Sequence, residues 1–345
     1  MDALADSSTL SALPSPSLYL SGFGTCVPEK VVTNFDMERL TDTNDEWITT
    51  RTGIRNRHFL AADEQPSDLA VRAAQQTLAN TGVPLERITH TIVATCTPEY
   101  LSPSTACVVA QKLGLRHCVA FDINAACTGF VYALNVCQAF LCADPQACIL
   151  LVTVEGLSRR LNWKDRSTCV LFGDGAGASL ATAQPLNIPG HLSAKLQSIQ
   201  CSSDTECWDL ICVGGGTHEA HVLGDSVSET FFVTMQGREV FKHAVRALVS
   251  ISLEVLNKEG LSVEDVDLFI PHQANLRIIE AVGSRLGLPA DKVFVNVGNY
   301  GNTSASSIPL AMADAFKQGR IKPGMKVLVA SFGSGFTWGA AVLQF

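Results

Sequence analysis

The sequence predicts an α/β protein of two duplicated halves, each a mixed sheet covered by helices, packed around paired central buried helices. Three observations carry that expectation: an internal repeat, apolar strands without alternation, and a low charge fraction. Of 345 residues, 47% are apolar and 17% charged, against about 25% charged in an average soluble domain. So little charge points to a large core, with apolar surface left over for a subunit interface. Disorder, collagen-like repeats and a small disulfide scaffold are excluded. The net charge of −8 argues against a general nucleic-acid binder, because no basic excess is present to release counterions.

Taken in order, residues 1–17 lack the basic region and long apolar segment of a signal peptide. They read as a ragged tail or a translation-start artefact. The first half, 18–185, carries a helix in AVRAAQQTLANTGVPLERI at 70–88. The second half, 186–345, answers with AVRALVSISLEVLNKEGLSVEDV at 244–266, four residues or about one turn longer. An apolar strand follows each, from His90 and from Asp267, and then a helix closing on Leu-Gly-Leu at 113–115 and 286–288. The next strands are predicted at 118–122 and 292–297. Each leads through a short loop into an uncharged central helix, and each half ends on a strand pair: ILLVTVE with GAGASLAT, and VLVASFG with WGAAVLQF. Continuous Val/Ile/Leu runs indicate strands buried on both faces.

The uncharged stretch 123–143 reaches membrane-spanning length, but its Asn124, Asn135 and Gln138 and the lack of a cationic flank favour a buried helix. The twelve cysteines are scattered without a CxxC pair, and several sit in apolar runs. Reduced thiols in a cytoplasmic setting are expected. Only Cys201, Cys207 and Cys212 cluster, and their spacing does not favour a metal site.

Duplication brings equivalent positions of the two halves together. Cys127, in AACTG, opens the first central helix, where unpaired N–H groups and the macrodipole are expected to favour a thiolate. Asn302, in GNYGNTSAS, immediately precedes the second, and a helix cap is its structural alternative. His272 follows the strand LFI, in the loop corresponding to Cys96-Thr97. The glycine-rich turn GSGFTWG, 333–339, offers a backbone N–H beside Cys127. VGGGTHEAH, 213–221, lacks the Lys-Ser/Thr of a P-loop and reads as a surface excursion.

At these residues the sequence resembles the β-ketoacyl-acyl-carrier-protein synthase III family, initiating condensing enzymes of type II fatty-acid synthesis in the thiolase superfamily. The motifs are DEWITTRTGIRNRH (45–58), FDINAACTGF (121–130), LFGDGAGA (171–178), PHQANLRII (271–279), NYGNTSASSIP (299–309) and FGSGFTWG (332–339). The resemblance implies a thiolase-like fold layered αβαβα, with two mixed sheets around the central helices. It also implies an acyltransferase that joins a short acyl-CoA to malonyl-acyl-carrier protein through an acyl-cysteine. The nucleophile then falls on Cys127, and the enolate-stabilising pair on His272 and Asn302. Backbone N–H groups of Cys127 and Ser334 would hold the oxyanion; the family usually has glycine where Ser334 stands. Trp47, Arg51 and Arg166 match the CoA contacts, while Lys242, Arg277 and Arg285 match carrier-protein docking. Ser284 stands in that patch where a lysine is expected. Ser102 stands where some acetyl-preferring relatives carry phenylalanine, so it is expected to leave room in the primer pocket of a partner subunit. The resemblance further implies a homodimer with no cofactor or metal, CoA thioesters being substrates, and no nucleic acid or membrane. Transfer of the acyl group to another acceptor, as in related alkylquinolone-type synthases, is the alternative; a Cys-His-Asn hydrolase and a binding-only relative are weaker ones.

Overall fold

A computed structural model describes residues 17–186, 188, 190, 193–214 and 231–345. All but Ser17 of the proposed tail, and the VGGGTHEAH segment beyond Gly214, lie outside these residues. The strands are β1 (Tyr19–Cys26), β2 (Val31–Thr33), β3 (Asn56–His58), β4 (His90–Ala94), β5 (Val119–Ile123), β6 (Cys148–Glu155) and β7 (Gly175–Thr182). Then come β8 (Ala194–Ser203), β9 (Ile211–Val213), β10 (Val233–Met235), β11 (Leu268–Pro271), β12 (Lys326–Gly333) and β13 (Thr337–Gln344). The helices are α1 (Asn34–Met37), α2 (Asp45–Thr52), α3 (Pro66–Thr81), α4 (Thr105–Leu113) and α5 (Gly129–Ala143). They continue with α6 (Arg166–Cys169), α7 (Gly237–Asn257), α8 (Leu276–Leu286), α9 (Val297–Tyr300) and α10 (Ser307–Lys317).

Every residue of β6 and of β7 is buried, which follows from layers on both faces. Ile149 and Leu151 of β6 pack with α5 and α10, whereas the intervening Leu150, Val152 and Val154 pack with α3. In β12, Val327 and Val329 join the same central cluster, and Leu328, Ala330 and Phe332 face α7. The alternation of a strand's side chains thus gives five layers: α3, sheet, α5 with α10, sheet, α7. The strand order is β11-β12-β13-β8-β1-β7-β6-β4-β5. Read outward from its middle, β8-β13-β12-β11 repeats β1-β7-β6-β4, with one parallel pair in each arm. The two mixed half-sheets meet edge to edge, where β1 and β8 pair only at Tyr19–Lys195 and Leu20–Ala194. Hydrogen bonding therefore joins them into one nine-stranded sheet.

Two expectations need correction. The strand at 292–297 shrinks to a bridge between Val293 and Phe269, extended by Phe294 N–H donating to Phe269 O at 2.8 Å. Beyond it, the side-chain oxygen of Gln273 takes the N–H groups of Asn296 and Val297 at 2.9 and 3.2 Å. That turns the chain into α9 before a ladder forms. The central helix α5 is not buried on all sides within one chain either: Phe130, Leu134, Cys137 and Leu141 enter the core, but Asn135, Ala139 and Cys142 are exposed. With its preceding turn it is long and apolar enough to cross a membrane by composition, and 44% of that window is buried inside the fold.

Candidate active site

Cys127 lies in a 3-10 turn, Ala126–Thr128, that leads into α5. Ala126 adopts a left-handed backbone, φ 45°, and its N–H donates to Asn124 Oδ1 at 3.3 Å. The Ser331 hydroxyl of β12 holds the Cys127 carbonyl at 2.7 Å. Gly333 presses on the same residue: a Cβ there would stand 2.8 Å from Cys127 N, so only glycine allows the approach. Burial pushes the Cys127 thiol up to about 12, reinforced by the Glu155 charge and only partly offset by hydrogen bonding to Ser304. Burial thus acts against the thiolate that the helix N-terminus favours. Cys127 keeps some accessible surface.

His272 directly follows β11, and its N–H donates to Ala330 O at 2.8 Å. Its Nδ1 lies 2.6 Å from the Ser307 hydroxyl at the start of α10. That hydroxyl also accepts the Gln273 N–H at 3.3 Å, leaving its own hydrogen free to donate to Nδ1. Burial pushes the ring down to about 3, so it is neutral at working pH, and this arrangement leaves the proton on Nε2.

Asn302 is tied to the first half, in parallel register with Phe172; its N–H donates to Leu171 O at 2.8 Å. Its Oδ1 accepts the Ser304 N–H at 2.9 Å. The cap and the functional role are thus compatible, because the amide NH₂ remains for a ligand. LFGDGAGA supplies the Leu171–Gly173 backbone that positions this asparagine.

Cys127, His272, Asn302 and Ser334 all line one cavity of about 650 Å³, together with Trp47, Arg51, Lys242 and Arg277. The Ser334 hydroxyl donates to Ile211 O at 2.5 Å, fixing the glycine-rich turn against β9. Arg51 and Arg166 both approach the Trp47 ring, at 5.0 and 5.3 Å from its centroid, and Arg166 also donates to Asp42 O at 3.0 Å. Arg277 lies 6.0 Å from the Phe241 ring, and Lys242 pairs with Glu239 at 2.8 Å.

The fold does not gather every predicted position. Arg285 is exposed near the far end of α8 from Arg277 and does not line the cavity. Ser102 lies on the exposed loop between β4 and α4, away from this chain's own cavity. Among the described residues, no three His, Cys, Asp or Glu side chains group as metal ligands. Arg238, Cys96 and Ser304 also line the cavity; sequence reasoning offered Ser304, with Thr303, only as a helix cap and gave none of the three a part in binding or chemistry. It likewise missed Ser307 behind His272 and the buried Glu155. The available signal for Glu155 was a lone carboxylate ending an otherwise uncharged buried strand.

Models of two family segments match the chain: 3-oxoacyl-[acyl-carrier-protein] synthase III over residues 121–200, and the C-terminal part of the same family over 256–345. A β-ketoacyl-[acyl-carrier-protein] synthase III of Nitratidesulfovibrio vulgaris (strain DSM 19637 / Miyazaki F) is 57% identical, over 94% of this chain and 96% of its own length. Another, from Roseiflexus castenholzii, is 46% identical over 94% and 97%. Among solved structures, the 3-oxoacyl-[acyl-carrier-protein] synthase III of Aquifex aeolicus superposes with a TM-score of 0.84 at 40% identity, covering 96% of this chain and 99% of that one. The synthase III of Thermus thermophilus gives 0.85 at 44% identity, covering 95% and 98%. With its duplicated thiolase-like fold and this degree of identity along nearly its whole length, the chain belongs to the β-ketoacyl-acyl-carrier-protein synthase III family of condensing acyltransferases.

Proposed function

We propose that the protein condenses a short acyl-CoA primer with malonyl-acyl-carrier protein, releasing CoA and carbon dioxide and forming 3-oxoacyl-acyl-carrier protein. The observation that carries this reading is the convergence of Cys127, His272 and Asn302, from both halves, on one cavity. Cys127 sulfur attacks the primer thioester and CoA departs, leaving an acyl-cysteine. Malonyl-carrier protein follows, and as its carbon dioxide leaves, Nε2–H of His272 and the Asn302 amide donate to the thioester oxygen that takes up enolate charge. The enolate carbon attacks the acyl-cysteine carbonyl, the Cys127 and Ser334 N–H groups hold the oxyanion, and the cysteine is released. The thioesters supply the driving force, so no cofactor or metal enters.

Trp47, Arg51 and Arg166 suit the adenine and phosphates of CoA. Trp47 and Arg166 are in direct contact, so a ring entering between them displaces Arg166 from its Asp42 carbonyl. Lys242 and Arg277 at the rim would meet an acidic carrier protein, with Arg285 extending that track along α8. A second copy of the chain is the partner that covers the exposed Leu101, Val119 and α5 stripe and brings Ser102 to the end of its neighbour's primer pocket. A cytoplasmic enzyme is consistent with twelve unpaired cysteines. Transfer to a different acceptor is not favoured, since the relatives at 57% and 46% identity are named synthases III. The test is incubation with labelled acetyl-CoA, with and without malonyl-carrier protein. Condensed product supports the proposal; free acid or an inert bound label overturns it.

A further inference from the structure

The two backbone N–H groups assigned to the oxyanion belong to different halves: Cys127 to the turn before α5, Ser334 to the turn that joins β12 to β13. Neither turn alone sets the distance between them. A pair of threonines joins them, Thr128 and Thr337, and the mechanism above uses neither.

Thr128 ends its 3-10 turn with no exposed surface. Its hydroxyl donates to Thr337 O at 3.1 Å. Thr337, the first residue of β13, answers with its own hydroxyl. The one hydrogen there faces Ser334 O at 3.1 Å, Thr128 Oγ1 at 3.1 Å and Ala125 O at 3.3 Å. Ala125 stands two residues before Cys127, so a single hydroxyl touches carbonyls of both turns that carry an oxyanion donor. Two carbonyl oxygens carry the same partial charge and repel; a hydroxyl hydrogen between them lets the turns close on each other, and its loss leaves both without a donor.

The outer side of the second turn is fixed separately. Phe336 exchanges both backbone hydrogen bonds with Asp204, at 2.7 and 2.9 Å, and Ile211 O holds the Ser334 hydroxyl. Thr337 itself is paired across the β12–β13 ladder with Gly333, the glycine that presses on Cys127. Its methyl packs at Gly335, where an added Cβ would stand 2.9 Å away. Branching at Cβ restricts χ1, so the hydroxyl is held toward the first half.

We propose that Thr337 is a positioning residue for acyl transfer: its hydroxyl, held by Thr128, sets the spacing of the Cys127 and Ser334 N–H groups. This deepens the proposed function and rests on it. No proton passes through either threonine. The pair fixes where the donors stand before charge develops, which is the condition for donors to stabilise an oxyanion without reorganising.

The experiment compares two reactions of one sulfur in wild type, Thr337→Val and Thr337→Ser, read by mass on the Cys127 peptide. Acetylation by p-nitrophenyl acetate passes through a tetrahedral oxyanion; alkylation by iodoacetamide displaces iodide and forms none. Valine keeps the shape and the preference for a strand, so Thr337→Val removes the hydroxyl with the fold retained. It should acetylate about 10-fold more slowly, a part of the 10²–10³ that removing a donor outright costs, while its alkylation rate stays within about twofold of wild type. Thr337→Ser should recover most of the acetylation rate. Wild-type acetylation in Thr337→Val overturns the proposal. So does an equal fall in both reactions, meaning that the turn has merely loosened around the sulfur, or a serine variant as slow as the valine one. The ester needs neither a CoA site nor a carrier protein, so failure of the proposed function shows separately, as absence of condensed product from acetyl-CoA and malonyl-carrier protein.

Discussion

The turns that open α5 and α10 share one backbone geometry and carry different side chains. Each begins with an asparagine whose Oδ1 accepts the N–H of the residue two places on: Asn124 to Ala126 at 3.3 Å, Asn302 to Ser304 at 2.9 Å. Each receiving residue is left-handed, with φ 45° and 49°, and each 3-10 turn gives way to a helix. They meet at Gly129, where an added Cβ would lie 3.2 Å from that of Ala305. The differences are in the side chains. The first turn follows its strained residue with Cys127, where the second has Ala305. Asn124 is exposed, whereas Asn302 is 7% exposed and lines the cavity. Duplication supplied one backbone device twice, and in the proposed mechanism the choice of side chain makes one copy the nucleophile and the other the enolate clamp.

The largest effect expected from breaking this asymmetry is at the nucleophile. Cys127→Ala should abolish acyl-enzyme formation, measured as loss of the acetyl mass shift. A residual shift blocked by iodoacetamide would mean that another cysteine is the nucleophile.

The clamp comes next. Asn302→Ala and His272→Ala should each slow malonyl decarboxylation by about 10²–10³ while leaving acylation largely intact. Asn124→Ala, its counterpart in the other turn, should cost only about 1 kcal/mol of stability, as loss of a cap, at unchanged turnover. Wild-type carbon dioxide release from Asn302→Ala would erase the distinction between the two turns.

Gly333→Ala tests how closely the second half presses on the first. A methyl 2.8 Å from Cys127 N must displace backbone, and a misplacement near 1 Å costs about 10²-fold in rate. Acylation should fall by that order, and the melting temperature should drop as the crowded backbone shifts.

The pH response of stability is smaller. His272 is held at about 3 against an ordinary 6.5, so above pH 6.5 it contributes no pH dependence. Between about 6.5 and 3 the unfolded chain binds a proton that the folded ring refuses, and stability falls with pH. Melting temperature should therefore drop less from pH 7 to 5 in His272→Gln than in wild type; an equal drop would mean the ring titrates normally.

The smallest change expected is one of preference. Ser102→Phe should narrow primer use toward acetyl when acetyl-, butyryl- and octanoyl-CoA are compared, since each buried methylene is worth about 0.8 kcal/mol. An unchanged profile would remove Ser102 from the primer pocket.

Much of this was legible along the chain. The apolar runs of β6, β7, β12 and β13 and the repeated helix segments announce buried strands in duplicated order, because patterning is local and period-dependent. Cys127, His272 and Asn302 were identifiable from motifs at equivalent positions of the repeat. The strand at 292–297 was misread because a side chain distant in sequence, Gln273, takes the amides that would have continued its ladder. The opposing pull of burial on the Cys127 thiol went unseen for a related reason: a helix N-terminus is visible in sequence, but the depth of burial around it is not.

The sequence by itself determined the class of fold, its duplication, and the residue types available for acyl transfer, since these depend on periodicity and on side-chain chemistry. Only the tertiary structure decided that Ser304 of the second half comes 3.9 Å from the Cys96 sulfur of the first, beside the buried Glu155 at the end of β6. It also decided that Ser307 orients His272 and that Arg285 stands apart from Arg277. Those outcomes depend on which strand ends and helix starts come within hydrogen-bonding distance across the central layer. Such distances arise from packing between residues far apart in the chain, where no local pattern records them.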